Sequence, residues 1–222
     1  MTCPESADAT LEAVVGAKKS DLMVSFDLNF RKQLWNWDDS KSPKELAGET
    51  IRNILQYVDV VIGNEEDASD VLGIEAENTD VYSGKIDASK YTFVAKEIVN
   101  QFPNVSKVGI TLRESVSASH NNWGAMLYDA ESNNSEFAPM SSEGYQPYAI
   151  KNIVDRIGGG DSFGAGLIFA LNTPELKEPQ MAIAFAVAAS CLAHSIYGDF
   201  NFSTRSEVET LLEKGGSGRV VR

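Results

Sequence analysis

Asp155-Arg156-Ile157-Gly158-Gly159-Gly160-Asp161-Ser162-Phe163-Gly164-Ala165-Gly166 runs three glycines into an acid that opens an apolar, small-residue segment. Consecutive glycines let backbone N–H groups turn toward one point without Cβ obstruction. A helix expected to begin at or just after Asp161 adds the positive end of its dipole, so the turn attracts anions. A phosphate site alone has no use for a carboxylate at its mouth, which points to Asp161 as a base. Together these residues suit phosphoryl transfer to an alcohol: donors stabilise charge on the moving group while a carboxylate takes the hydroxyl proton. An isolated Gly-Gly-Gly-Asp is more often a structural strand-to-helix turn with Asp as the cap. A dinucleotide fingerprint does not fit, because Gly158, Gly160 and Phe163 miss the third glycine.

Working outward, the 222 residues are 43% hydrophobic and 23% charged, ordinary for one soluble globular domain. No apolar run is long enough to span a bilayer. Acids at Glu5, Asp8 and Glu12 interrupt any signal-like apolar stretch, and Cys3 and Cys191 show no metal-ligand spacing. A reduced, cytoplasmic protein with no membrane partner is expected. The formal charge of -13 argues against a nucleic-acid partner, which needs a basic patch. Anionic ligands would therefore depend on local arginines, lysines and Mg²⁺.

Apolar β-branched runs alternate with helical patterns, which predicts an α/β fold around a mainly parallel sheet. A short helix with Leu11, Val14 and Val15 leads into a strand from Leu22 to Leu28. Ser42-Pro43-Lys44-Glu45 forms a capping box ahead of Ile51, Ile54, Leu55 and Val58 at helical spacing. Val58 to Ile62 reads as a strand, and Asn64-Glu65-Glu66-Asp67 opens a helix that Gly73 ends. Asp80 to Ser89 reads as a loop, Tyr91 to Phe102 as a helix, and Lys107 to Leu112 as a strand. Trp123 to Tyr128 pairs with Glu136-Phe137 around Asn133-Asn134. Beyond Asp161 come two helices, the second from Pro179 to Ile196 and apolar on nearly all sides. Thr204-Arg205-Ser206-Glu207 caps a last helix, and 215–222 is expected to be a flexible tail.

Three strand exits join the glycine turn on the ligand-facing edge of such a sheet. Asp27-Leu28-Asn29-Phe30-Arg31 offers the planar fork of Arg31 for a phosphate or carboxylate. Asn64 to Asp67 supplies hard oxygen ligands suited to Mg²⁺, although Asn64 as N-cap with acids in a first turn explains the same residues. Thr111-Leu112-Arg113-Glu114 is a strand end where a nucleotide could rest. His120 and His194 are given no catalytic role; His194 reads as a hydrogen-bonded core histidine. Trp35, Trp37 and Trp123 read as packing or lid-proximal aromatics.

With these residues in place, the chain resembles the PfkB, or ribokinase-like, sugar kinases over nearly its whole length. The segments Asp27-x-Asn29-x-Arg31, Gly63 to Asp67, Thr111-Leu112-Arg113 and above all Asp155 to Asp161 carry the resemblance. Gly198-Asp199-Phe200-Asn201 and Gly218-Arg219-Val220-Val221-Arg222 are most similar to the 2-keto-3-deoxygluconate kinase branch. The resemblance implies a single domain over 1–222 with a ribokinase-like, Rossmann-like three-layer fold. It implies ATP-dependent phosphorylation of a sugar-acid hydroxyl, with Asp161 as base and Gly158, Gly159 and Gly160 as anion hole. Asn29, Arg31, Thr111 and Arg113 would serve the nucleotide, Arg31 and Asp199 the sugar, and Asn64 with Glu66 and Asp67 the Mg²⁺. A monovalent cation is a further implied cofactor. The family's metal-ordering acid three residues after the asparagine is usually Glu; Asp67 stands there, so Glu66 and Asp67 both remain candidates.

The resemblance departs at the front. Family members begin with a glycine-containing first strand and a small β-sheet lid, and neither is visible before Leu22. The chain therefore reads as the C-terminal two-thirds of a kinase domain, with weak or no transfer activity alone. Two other readings are a nucleotide-binding pseudokinase and a structural fragment completed by a partner chain or by homo-oligomerisation through an exposed strand edge.

Overall fold

The computed structural model describes residues 1–75 and 88–214. The expected loop from Asp80 lies outside the described residues up to 87, whereas Ala88 and Ser89 already belong to a helix. The expected tail at 215–222, with its Gly218–Arg222 motif, also lies outside them. Contacts cluster into two compact units, residues 1–110 with 128–134, and 111–127 with 135–222. No helix among the described residues is long and apolar enough to cross a membrane.

The first unit opens with α1 (Pro4–Lys19), whose Pro4 sits at the first turn behind a Cys3–Ser6 capping box. Next come β1 (Ser25–Asp27), a 3₁₀ turn (Lys32–Leu34), α2 (Pro43–Leu55), β2 (Val60–Gly63), α3 (Glu65–Leu72) and α4 (Ala88–Gln101). Strand β3 (Lys107–Ser117) enters the unit with its first residues. β1 pairs parallel with β2, and β2 with β3, in the registers Ser25↔Val60 and Val60↔Lys107. Three consecutive residues of β2, Val60, Val61 and Ile62, are buried, as expected for a strand covered on both faces. Ile51, Ile54 and Leu55 of α2 and Ile98 of α4 complete that core.

The strand expected from Leu22 to Leu28 is shorter. Leu22 N–H still bonds to Ala17 O at 3.0 Å, finishing α1, and Leu22 and Met23 are exposed. The Asp59 carboxylate then takes the Val24 N–H at 2.8 Å, so regular pairing starts only at Ser25.

In the second unit, the outer part of β3 turns back into β4 (His120–Asp129), followed by β5 (Asn134–Ala138). A small ribbon of β6 (Met140–Ser141) and β7 (Gly144–Tyr145) precedes β8 (Tyr148–Lys151), which runs antiparallel to β4 in the register His120↔Lys151. The strand order is β1-β2-β3-β4-β5 with β8 also on β4, a mixed sheet. Helices α5 (Gly159–Leu171), α6 (Pro179–Ala193) and α7 (Arg205–Lys214) complete the unit. α5 and α6 pack closely because Gly166 leaves no side chain between them; a Cβ there would lie 3.0 Å from Ala186 Cα. Phe163, Leu167, Ile183 and Ala186 fill that interface. α6 ends at Ala193, three residues short of the expected Ile196, with 3₁₀-type bonds from Ser195 and Ile196 tightening the exit.

Candidate functional site

In the second unit β8 delivers the chain to Asp155, which knots the glycine turn. Its Oδ1 accepts the N–H of Arg156 at 2.7 Å and of Ile157 at 3.0 Å, and its Oδ2 accepts the Gly198 N–H at 3.0 Å. Those N–H groups, Ile157 first, hold its carboxyl below the usual carboxylate range. One side chain thus ties the turn before α5 to the loop after α6.

Gly158 caps α5 at φ 74°, the left-handed region, and a Cβ there would sit 2.6 Å from Asp199 O. Glycine is required on both counts. The helix begins at Gly159, so Asp161 is its third residue rather than the residue before it. The sequence expectation placed the start two residues late because glycines are poor helix formers. The consequence is favourable for anion binding: Gly160 and Asp161 carry first-turn N–H groups ahead of the first intrahelical bond, Ser162 N–H to Gly158 O at 2.8 Å. The space where a Gly160 Cβ would stand is open.

A cleft of about 440 Å³ lies against this turn. Asp161 and Asp199 stand in its wall with Asn201 and Arg205, and Phe169, Phe185 and Phe200 form its apolar part. Acceptor carboxylates beside aromatic faces suit a hydroxyl-bearing ligand, whose OH groups donate while its C–H faces cover the rings. Asn201 Nδ2 donates to Ala189 O at 3.0 Å, fixing the loop after Asp199. Arg205 is held by Glu209 at 2.7 Å and lies over the Phe169 ring.

Thr111 and Arg113, two apart on β3, share a strand face. They are not at a strand end, as the sequence suggested: β3 continues to Ser117. The polar stretch stays extended because the hairpin with β4 pairs it, and Asn122 Nδ2 donates to Glu114 Oε2 at 2.6 Å across the strands. Arg156, which the sequence reading left without a role, donates to Ser117 O and Ala118 O at 2.8 Å and to Asn121 Oδ1 at 3.2 Å. Behind the turn, His194 is buried and its Nδ1 lies 2.8 Å from Ser190 O, the expected core histidine. Burial, then the Arg156 and Arg113 charges, push its pKa down, against the opposing effect of the Ser190 carbonyl. Burial pushes the Cys191 thiol up to about 12, which disfavours the thiolate form.

The remaining sequence-predicted residues belong to the first unit. Phe30 N–H donates to Asp67 Oδ1 at 3.0 Å, which brings the Asn29–Arg31 exit against the first turn of α3. Asn29 takes φ 32° to make that exit. Burial raises the Asp67 pKa, opposed by the Phe30 N–H and the Arg31 charge. Asn64 Oδ1 accepts the Asp67 N–H at 2.8 Å, the N-cap role. Asn64 and Asp67 are therefore partly committed to backbone groups, whereas Glu66 is exposed. Among the described residues no three His, Cys, Asp or Glu side chains gather to hold a metal ion directly. The set fits a water-mediated Mg²⁺, which keeps most of its own waters.

The model of the pfkB family of carbohydrate kinases matches residues 1–204. The chain belongs to the pfkB carbohydrate kinase family. It is similar to the 2-dehydro-3-deoxygluconokinase structure from Thermotoga maritima, with 37% identity and a TM-score of 0.76 over 91% of this chain and 54% of that one. A PfkB family carbohydrate kinase structure from Listeria grayi is 26% identical, with a TM-score of 0.74 over 93% of this chain and 55% of that one. The 2-dehydro-3-deoxygalactonokinase of Haloferax volcanii is 25% identical over 211 residues, 95% of this chain and 54% of its own. The chain thus spans about half the length of the relatives it matches. The pfkB kinases are ribokinase-like in fold, and the mixed sheet with flanking helices agrees with that class.

Arg156 and the pair Ser190 and His194 were not singled out as site residues in sequence. The signal for the pair was present: from Met181 onward α6 is apolar and small except for Ser190, and His194 follows four residues later as its C-cap.

Proposed function

We propose that the chain carries the phosphoryl-transfer half of an ATP-dependent kinase acting on a sugar acid such as 2-keto-3-deoxygluconate. The observation that supports it is the Gly158–Asp161 turn, in which the helix start, Asp161 and the loop of Asp199 meet at one cleft. Names of the similar kinases from T. maritima and H. volcanii suggest the substrate class.

In this reading Gly158, Gly159 and Gly160 present the open helix start to the transferring phosphoryl group, and Asp161 takes the proton from the attacking hydroxyl. Asp199 accepts hydrogen bonds from other sugar hydroxyls and so orients the reacting one. Thr111 and Arg113 serve the nucleotide side, Arg113 as a fixed positive charge. In the first unit Asn29 and Arg31 address nucleotide phosphates or the substrate carboxylate, while Asn64, Glu66 and Asp67 order water around Mg²⁺. Bound ATP supplies the phosphoryl group, and Mg²⁺, with a monovalent cation, neutralises charge on its oxygens.

The 222-residue chain assayed by itself is expected to turn over below the range of ordinary kinases, on the order of 1–100 s⁻¹. The test is an ADP-coupled assay with 2-keto-3-deoxygluconate on wild type and Asp161→Asn. Slow turnover that drops by roughly 10²-fold or more in the variant is expected. Turnover indifferent to Asp161 would remove it as base.

A further inference from the structure

From Met181 onward helix α6 is built of apolar and small residues, yet Ser190 in its interior is fully buried. A buried hydroxyl costs free energy unless it is hydrogen-bonded. A mid-helix serine ordinarily satisfies itself on its own helix, by bonding back one turn. Ser190 instead reaches across to α5, where its Oγ donates to Gly159 O at 2.7 Å. Its own carbonyl lies 2.8 Å from His194 Nδ1, and a carbonyl can only accept, so Nδ1 carries the proton there. The His194 ring in turn backs Gly159 so closely that a Cβ there would lie 3.0 Å from its Cε1. The first residue of α5 is therefore gripped by a side chain of α6 through a hydrogen bond and by the His194 ring at the end of α6 through contact.

The peptide that Ser190 grips is the one that links Gly159 to Gly160. In a planar trans peptide the C=O and the following N–H point in opposite directions. Holding Gly159 O toward α6 therefore turns the Gly160 N–H away from the Ser190 hydroxyl, and Gly160 itself carries no side chain that could crowd a ligand there. We infer that Ser190 is a positioning residue: its hydroxyl fixes the Gly159–Gly160 peptide so that the Gly160 N–H stays aimed at a bound phosphoryl group. With glycine on both sides, that first-turn peptide has more conformational freedom than side-chain-bearing residues would allow it. The inference rests on the anion-hole reading of Gly158–Gly160 and adds the group that keeps the hole preorganised.

The test is a ¹H–¹⁵N NMR titration of the full chain with inorganic pyrophosphate, following the Gly160 amide in wild type, Ser190→Ala and Ser190→Cys, with thermal melts alongside. A saturable Gly160 shift is expected in wild type. Ser190→Ala should bind roughly five- to tenfold more weakly with a smaller Gly160 shift, and Ser190→Cys, whose thiol is a poorer donor, should fall between them. A purely packing role would change the melt and leave the pyrophosphate affinity and the Gly160 shift alone; that result overturns the inference while the anion hole stands. No Gly160 response in wild type overturns the anion hole and this inference with it. Should Ser190→Ala fail to fold, wild-type-like binding by Ser190→Cys is the contradicting result.

Discussion

Gly158 and Gly160 stand two residues apart, yet substitution should separate them sharply. An alanine at 158 meets both the left-handed backbone at φ 74° and the Asp199 carbonyl 2.6 Å away. Gly158→Ala should cost at least about 2 kcal/mol, read as a lowered urea midpoint. Gly160→Ala meets nothing within 4 Å. It should lie within about 1 kcal/mol of wild type, on the stabilising side, because alanine reduces the entropy of the unfolded chain. At this scale the sequence pointed to a chemistry and was poor on geometry. The run Gly158–Asp161 suggests an anion site, but only the fold reveals that Gly158 accommodates Asp199, Gly159 accommodates His194 and a Gly160 side chain would face open space. Three identical letters carry three different constraints.

At the scale of elements, caps were the most legible feature. Ser42-Pro43-Lys44-Glu45 forms the reciprocal box expected of it, with Ser42 N–H to Glu45 Oε2 at 2.8 Å and Glu45 N–H to Ser42 Oγ at 3.3 Å. Ser42→Ala should destabilise by about 1 kcal/mol in urea denaturation, and a value near zero would show that solvent replaces the cap. Asn64 and Gly73 likewise bound α3 as read, Gly73 at φ 62°. Strand ends were harder to read. β1 shrank because the α1 exit takes the backbone of Leu22, a local effect, and the Asp59 carboxylate takes that of Val24, a long-range one. β3 outran its expected end at Leu112 because its extension is stabilised by a hairpin partner rather than by its own apolar residues. Alternation marks a strand only where one face is buried, and Ser115 to Ser117 have no buried face.

For the molecule as a whole, the net charge of -13 opposes every anionic ligand, so nucleotide binding must be earned locally by Mg²⁺, backbone donors and a few arginines. The central claim is that the Gly158–Asp161 turn binds the nucleotide phosphates and that Asp161 acts on the acceptor. Isothermal titration of ATP·Mg²⁺ into wild type and Asp161→Asn, with and without 2-keto-3-deoxygluconate, tests it most directly. Saturable binding is expected in both proteins, undiminished in Asp161→Asn because that change removes a negative charge beside the phosphates. Absence of binding by folded wild-type protein would contradict the claim and leave a kinase fold that no longer handles nucleotide.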